Sequence, residues 1–215
     1  MQSDARCGSP LPPLAALAGV LLLILLQLAA HGYAVSPPPG SVKIVGSTYN
    51  GDGCPNGSTV IVVSEDAQAL TVMFSNFTAS TDPPISNQRK QCTVGVKLSY
   101  PQGFTFSLGD IILRGYAKLD AGVKGVARTT YYIAGLTGTG KATGPLEGPM
   151  DDNFEVPSNF VSPAISQCNT TRDLNINSEV RVVPGRFVPK RSGLITVDST
   201  DLKLTQIFSF SWQAC

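Results

Sequence analysis

The sequence predicts an all-β fold: a single antiparallel β-sandwich, Ig-like or jelly-roll-like, of about nine or ten strands, with a flattened barrel as the alternative. Three observations predict it. Past residue 42 the apolar residues recur with a period of two, and no stretch shows a capped helical period. The 21 glycines and 16 prolines are spread through the chain as turn residues rather than gathered in one segment. Four cysteines lie beyond an apolar leader, which is the framework of an exported domain with two disulfides.

The elements follow in order. Residues 1–34 read as a signal peptide: Arg6 supplies a weak positive start, residues 14–26 are apolar, and Gly32-Tyr33-Ala34 fits the small-x-small cleavage rule. Cleavage is expected after Ala34, with Ala30 as the alternative. A retained anchor is the competing reading, since residues 11–30 nearly reach spanning length. Its Pro-rich start, Gln27 and the small-residue exit favour cleavage. Residues 35–41 form a Pro-rich linker of polyproline character, and residues 42–215 form the secreted sandwich domain. Within that domain Val60 to Val63 are nearly continuous, as in a strand covered on both faces. Leu70, Val72 and Phe74 alternate with Thr71, Met73 and Ser75, and Val94, Val96, Leu98 and Tyr100 with Thr93, Gly95, Lys97 and Ser99. Pro101-Gln102-Gly103 is a turn, after which Phe104, Phe106 and Leu108 share a face. Residues 111–119 and 126–133 are further strands. Residues 135–149, rich in Gly, Thr and Pro, are expected as a loop, and residues 151–168, broken by Pro157 and Pro163, as irregular chain. Leu174, Ile176, Val180 and Val182 resume the alternation, residues 193–197 are a short strand, and Leu202, Leu204, Phe208, Phe210 and Trp212 line one face of the last.

Composition narrows the function. The 215 residues are 42% hydrophobic and 14% charged, enough for a core and too little charge for a disordered chain. A net charge of +1 gives no electrostatic footprint for nucleic acid, and no membrane partner is expected once the leader is cleaved. Cleavage removes Cys7, one of the five cysteines, leaving Cys54, Cys92, Cys168 and Cys215. Three pairings are open; Cys54 with Cys92 and Cys168 with Cys215 is favoured because each bridge then stays within one half of the chain. Sequons stand at Asn56, Asn76 and Asn169, and occupied ones must face solvent.

His31, the single histidine, leaves with the leader or survives only at a loose terminus. A Ser-His-Asp or Cys-His site cannot then be assembled, nor a His-ligated zinc or copper site. Gly135-Leu136-Thr137-Gly138-Thr139-Gly140-Lys141-Ala142 resembles a phosphate loop, but Ala142 stands where a magnesium-holding hydroxyl belongs and no helix is expected after it. It reads better as a β-loop, so no cofactor is expected. Carboxylates (Asp110, Asp120, Asp151, Asp152, Glu155, Asp198, Asp201) are the remaining acid-base groups, and a glycosidase would need two of them across a cleft. Asp198-Ser199-Thr200-Asp201 reads better as a turn, and Asp151-Asp152-Asn153 as a solvated loop rather than a calcium site. The candidate ligand patch is Arg181, Arg186, Lys190 and Arg191, cations whose arginine forks suit acidic polysaccharide, with Tyr131 and Tyr132 as stacking rings. Tyr131 and Tyr132 fall on opposite strand faces, so one at least is available, while Trp212 belongs to the core.

Several of these segments together resemble the family called domain of unknown function 4360. They are Gly51-Asp52-Gly53-Cys54-Pro55, Arg89-Lys90-Gln91-Cys92, Tyr100-Pro101-Gln102-Gly103, residues 114–122, Tyr131-Tyr132, Gly144-Pro145, residues 198–201 and the end from Trp212 to Cys215. The resemblance spans about residues 42–215. It implies a small secreted protein of fungi, plants, algae or bacteria, a four-cysteine framework and a β-rich fold, and supplies no activity, substrate or catalytic residue. The family pattern often places a Trp shortly before the third cysteine, where this chain has Phe160-Val161-Ser162-Pro163. The expected function is therefore a non-enzymatic extracellular or cell-wall module, structural or binding a cell-wall polysaccharide or an extracellular matrix protein. A carboxylate-dependent polysaccharide hydrolase or lyase is one alternative. A secreted effector or inhibitor that binds another protein through an apolar patch is the other.

Overall fold

The structure is a computed structural model that describes residues 35–185, 191–196 and 203–215. The expected signal peptide, Arg186, Lys190, Asp198, Asp201 and Leu202 lie outside the described residues. Among those described, twelve strands build two antiparallel sheets. One has five strands in the order β1 (Lys43–Asn50), β5 (Arg89–Ser99), β10 (Leu174–Val183), β7 (Lys124–Ile133) and β8 (Gly140–Glu147). The other runs β2 (Thr59–Val63), β3 (Ala69–Phe74), β12 (Leu204–Ala214), β6 (Phe104–Leu119), β11 (Gly193–Thr196) and β4 (Ala79–Ser80), with β9 (Met150–Asn159) on the free side of β6. The strands β12 and β11 occupy successive stretches of one side of β6, while β9 covers Asp110 to Leu119 on the other.

The inward positions of both sheets meet in one core. The five-stranded sheet gives Val94, Val96 and Leu98, Leu174, Ile176, Val180 and Val182, and Tyr131 and Ile133; the other gives Leu70, Val72 and Phe74, Phe106 and Leu108, Phe208, Phe210 and Trp212. Burial of such side chains contributes about 1.5–3 kcal/mol each, the main favourable term of the fold. Tyr100, Phe104, Phe106, Phe210 and Trp212 cluster edge-to-face or tilted, with ring centroids 5.2–6.4 Å apart. The indole Nε1–H of Trp212 donates to the Ala67 carbonyl at 2.7 Å, so its one polar atom is satisfied inside. Both disulfides close as Cys54–Cys92 and Cys168–Cys215, with Cα–Cα separations of 5.6 and 5.9 Å.

Two predicted irregular regions are strands. Residues 135–149 contain β8, and residues 151–168 contain all of β9 but its first residue, Met150. Both are edge strands and both hold a proline, Pro145 and Pro157, which an edge tolerates because it leaves one row of backbone groups unpaired. The inward residues of β8 are Gly140, Ala142, Gly144 and Leu146, and the two glycines lie under large side chains from elsewhere, Tyr131 and Val156. A Cβ on Gly140 would stand 2.2 Å from the Tyr131 ring. The strand β1, left unassigned in the sequence, adds a further edge. Residues 104–119 form one strand rather than two: β6 carries one extra residue opposite Ser209, so the inward positions switch from Phe106 and Leu108 to Ile111 and Leu113. The Asp110 N–H donates to Ser209 Oγ at 2.8 Å across that bulge. Residues 35–41 lie against the β2–β3 hairpin: Gly40 N–H donates to Glu65 O at 2.7 Å, and Gln68 Nε2 donates to Ser36 Oγ at 3.0 Å.

Candidate functional site

Alternation decides what the five-stranded sheet shows to solvent. With Cys92, Val94, Val96 and Leu98 facing in, β5 turns Arg89, Gln91, Thr93, Gly95 and Lys97 outward. In β10 the outward residues are Asn175, Asn177, Glu179 and Arg181, and in β7 they are Arg128, Thr130 and Tyr132. The register stacks these into rows across the sheet. Thr48, Gly95, Asn175 and Tyr132 form one; Thr93, Asn177, Thr130 and Lys141 the next; Gln91, Glu179, Arg128 and Thr143 the third. Amides, hydroxyls and guanidiniums dominate, with one aromatic ring, Tyr132, 39% exposed.

Two shallow depressions mark this face. One, of about 270 Å³, is lined by Gly46, Ser47, Thr48, Gly95, Lys97, Asp173 and Asn175. It exists because Gly95 has no side chain: a Cβ there would meet Thr48 Oγ1 at 2.7 Å. The other, of about 220 Å³, is lined by Arg89, Gln91, Arg128, Thr130, Asn177, Ser178 and Glu179. Between them Thr93 Oγ1 donates to Asn177 Oδ1 at 2.7 Å. At the floor of the second depression Arg89 donates to Glu179 Oε2 from Nε at 2.9 Å and Nη2 at 2.6 Å.

The sequence-predicted patch is divided by the fold. Tyr132 and Arg181 stand on this outer face. Tyr131 does not: it is fully buried, its hydroxyl accepting from Leu108 N–H at 3.0 Å and facing the carbonyls of Leu108 and Ala164 at 3.1 and 3.0 Å. Arg191 precedes β11 in the other sheet and donates to the Ala121 carbonyl. Arg186 and Lys190 lie outside the described residues. Reading the sequence missed Arg89, Gln91, Arg128, Asn175, Asn177 and Glu179. Their signal was the alternation of three separate strands, but the register that gathers them is not visible in the chain. Phe160, where the family often has Trp, sits in the core, 4.8 Å from the Tyr131 ring and 6.1 Å from Phe208 between centroids.

The remaining candidates resolve as follows. The phosphate-loop-like segment is the β7–β8 hairpin, with Lys141 and Ala142 on a strand. A third depression, of about 340 Å³, is lined by Lys118, Asp120, Pro149, Met150 and Asp151 among others. Beside it the Tyr116 hydroxyl donates to Asp151 Oδ1, and Lys118 Nζ lies 3.0 Å from Asp151 Oδ2. The bond from Tyr116, then that from Lys118, holds the Asp151 carboxyl below the usual carboxylate range. That is opposite to the shift a general acid needs. Glu155 pairs with Arg114 at 3.6 Å, and Asp120 Oδ2 accepts from Ser192 N–H at 2.7 Å. Among the described residues no group of three or more His, Cys, Asp or Glu is placed to hold a metal, and no helix is long and apolar enough to cross a membrane. The space between the sheets lined by Ile111, Leu113, Ala127, Ala142 and Val156 offers about 10 Å³, at most one water. The sequon residues Asn56, Asn76 and Asn169 are all exposed, and Asn169 Oδ1 accepts from Gly103 N–H at 3.0 Å.

Among solved structures, TmCBM61 in complex with beta-1,4-galactotriose aligns over 85% of this chain and 98% of its own, at 11% identity and a TM-score of 0.27. A family 11 carbohydrate-binding module from Clostridium thermocellum, in complex with a beta-1,3-1,4-mixed-linked tetrasaccharide, aligns over 77% and 89%, at 8% identity and a TM-score of 0.25. Scores this low carry no argument. In sequence, an uncharacterized secreted protein of Arthroderma benhamiae (strain ATCC MYA-4681 / CBS 112371) is 36% identical over 189 residues, covering 86% of this chain and 76% of its own. Residues 40–215 match the family described as Domain of unknown function (DUF4360), and this secreted, disulfide-bridged β-protein belongs to it.

Proposed function

We propose that the outer face of the five-stranded sheet binds a glycan, and that the protein works as a non-enzymatic interaction module of the cell wall or extracellular matrix. The leader of residues 1–34, cut after Ala34, would deliver it there, with sugars attached at one or more of Asn56, Asn76 and Asn169. The single observation that carries the reading is the row Thr48, Gly95, Asn175 and Tyr132. A sugar ring has hydroxyls that pair with amide and hydroxyl side chains, and a C–H face that lies on an aromatic ring. The row offers both: Thr48, Gly95 and Asn175 line a depression open to solvent, and Tyr132 stands opposite Asn175. From there to the row of Gln91, Glu179 and Arg128 is four residues along the strands, about 13 Å, room for a short oligosaccharide rather than one sugar.

The test is retention of the purified mature protein on a panel of immobilised wall polysaccharides, repeated with Tyr132→Ala. Retention by at least one glycan is expected, weakened about tenfold by the substitution, which corresponds to 1.4 kcal/mol. No retention on any glycan removes the ligand reading and leaves a structural role.

A further inference from the structure

The charges on this face do not balance. Arg89 stands directly opposite Arg181 in the β5–β10 pairing, and Glu179 directly opposite Arg128 in the β10–β7 pairing. Three guanidiniums therefore surround one carboxylate. Glu179 is already engaged by Arg89 through two N–H groups on one oxygen. Asp52, at the rim near Gln91, accepts the Gln91 N–H at 2.8 Å and faces Lys90 Nζ at 3.7 Å. Arg128 and Arg181 have no hydrogen-bond or ion-pair partner among the described residues. Like charges placed opposite on adjacent strands are destabilising, so the arrangement works against the fold unless an anion completes it.

We infer that the depression lined by Arg89 and Arg128, with Arg181 one row on opposite Arg89, takes the anionic group of an acidic polysaccharide, a uronate carboxylate or a sulfate ester. The inference rests on the glycan-binding reading of this face and names its substrate class. Arg128 is a diagonal neighbour of Arg181 across the β10–β7 pairing, about 7–8 Å away and somewhat closer between Cβ atoms, so two long side chains can close on one planar or tetrahedral anion. Guanidinium presents paired N–H groups that match either geometry. Thr130, Asn177 and Gln91 line the same depression and supply uncharged donors and acceptors for neighbouring sugar hydroxyls. Lys141 and Lys97 add positive charge on the rows above, with no ion-pair partner among the described residues.

The experiment is affinity electrophoresis of the mature protein in gels containing polygalacturonate, its methyl ester, carrageenan or a neutral β-glucan, with single-stranded DNA as a charge control. Retardation by polygalacturonate or carrageenan is expected, at least tenfold stronger than by the methyl ester or the β-glucan and decreasing with added salt. The polygalacturonate and carrageenan arms separate the carboxylate from the sulfate source. Arg128→Gln with Arg181→Gln should remove that preference with the near-ultraviolet circular dichroism unchanged. Glu179→Gln, which deletes the carboxylate among the three guanidiniums, should strengthen anionic binding several-fold. Equal binding of charged and neutral glycans, insensitive to both arginines, overturns the inference and leaves the glycan reading standing. Equal retardation by DNA overturns it in favour of unspecific charge. Absence of any glycan binding sinks both.

Discussion

Tyr131 and Tyr132 are neighbours in the chain and occupy the two faces of one strand. Tyr131 is fully enclosed, and its hydroxyl ties β7 to the backbone of β6 in the opposite sheet. Tyr132 is 39% exposed beside Asn175 in an open polar row. The same split runs across the whole sheet. Its inner side makes apolar contacts and a few satisfied polar links, such as Ser178 Oγ to Gln206 Oε1 at 2.7 Å and Gln206 Nε2 to Thr129 Oγ1 at 3.2 Å. Its outer side carries Arg128, Arg181 and Asn177 with few internal commitments. The difference teaches where each kind of variant acts. Inner changes move stability through cavities, clashes and stranded polar groups. Outer changes leave stability within about 0.5 kcal/mol and move binding.

That separation is open to attack in order of expected effect. The inner bridge Cys54–Cys92 closes a loop of sequence separation 38. Replacing both cysteines by Ser is expected to cost about 4 kcal/mol by the loop-closure model, read as a lowered urea midpoint. Gly140→Ala comes next. The added Cβ would stand 2.2 Å from the Tyr131 ring, and overpacking of this kind costs about 1–3 kcal/mol. Tyr131→Phe keeps the ring but strands the Leu108 N–H, buried with it, at about 1–3 kcal/mol. Combining Gly140→Ala with Tyr131→Phe should give a non-additive loss in urea titrations, because both act on the same side chain. If any of these three inner variants, once folded, changes glycan retention by more than twofold, the two faces are coupled and the comparison fails.

Much of this plan is legible in the sequence where strands alternate cleanly. Leu70, Val72 and Phe74, or Phe208, Phe210 and Trp212, declare their buried side through period two alone. The reading fails for physical reasons at particular places. In β8 the inward residues include Gly140 and Gly144, so the core face looks like loop composition; the bulk that fills it comes from Tyr131 and Val156. In β9 the one buried residue, Phe154, stands between two aspartates and a proline, with Met150 and Val156 only partly buried on its face. Gln206 breaks the apolar face of β12 because it bonds Ser178 and Thr129 across the core. The candidate site was harder still. Arg181, Arg186, Lys190 and Arg191 look like a patch because they are close in the chain. The arginines that meet in space, Arg89, Arg128 and Arg181, come from three strands whose pairing no local pattern encodes.

The seven-stranded sheet offers the smallest and most local test, at the outer end of β6 and β9. The Asp151 hydrogen bond is the main cause that raises the Tyr116 hydroxyl above its ordinary value of 10.0, and the same bond is the main cause that lowers Asp151 below 3.8. The two shifts have opposite signs in their effect on stability. A lowered carboxylate contributes above pH 3.8, and that contribution is lost as pH falls through the folded value. A raised phenol contributes below pH 10.0 and loses its contribution as pH rises through the folded value. The pair is exposed, so the net effect on unfolding should be small and should weaken with salt. Spectroscopy resolves it better. Burial pushes Tyr131 up as well, so an absorbance titration of folded protein should show two late phenols. Asp151→Asn should return Tyr116 toward its ordinary range and leave Tyr131 late. Were Asp151→Asn to shift both phenols together, the end of β6 would be coupled to the core through the sheet, and the division between enclosed and open faces would not hold for this half of the molecule.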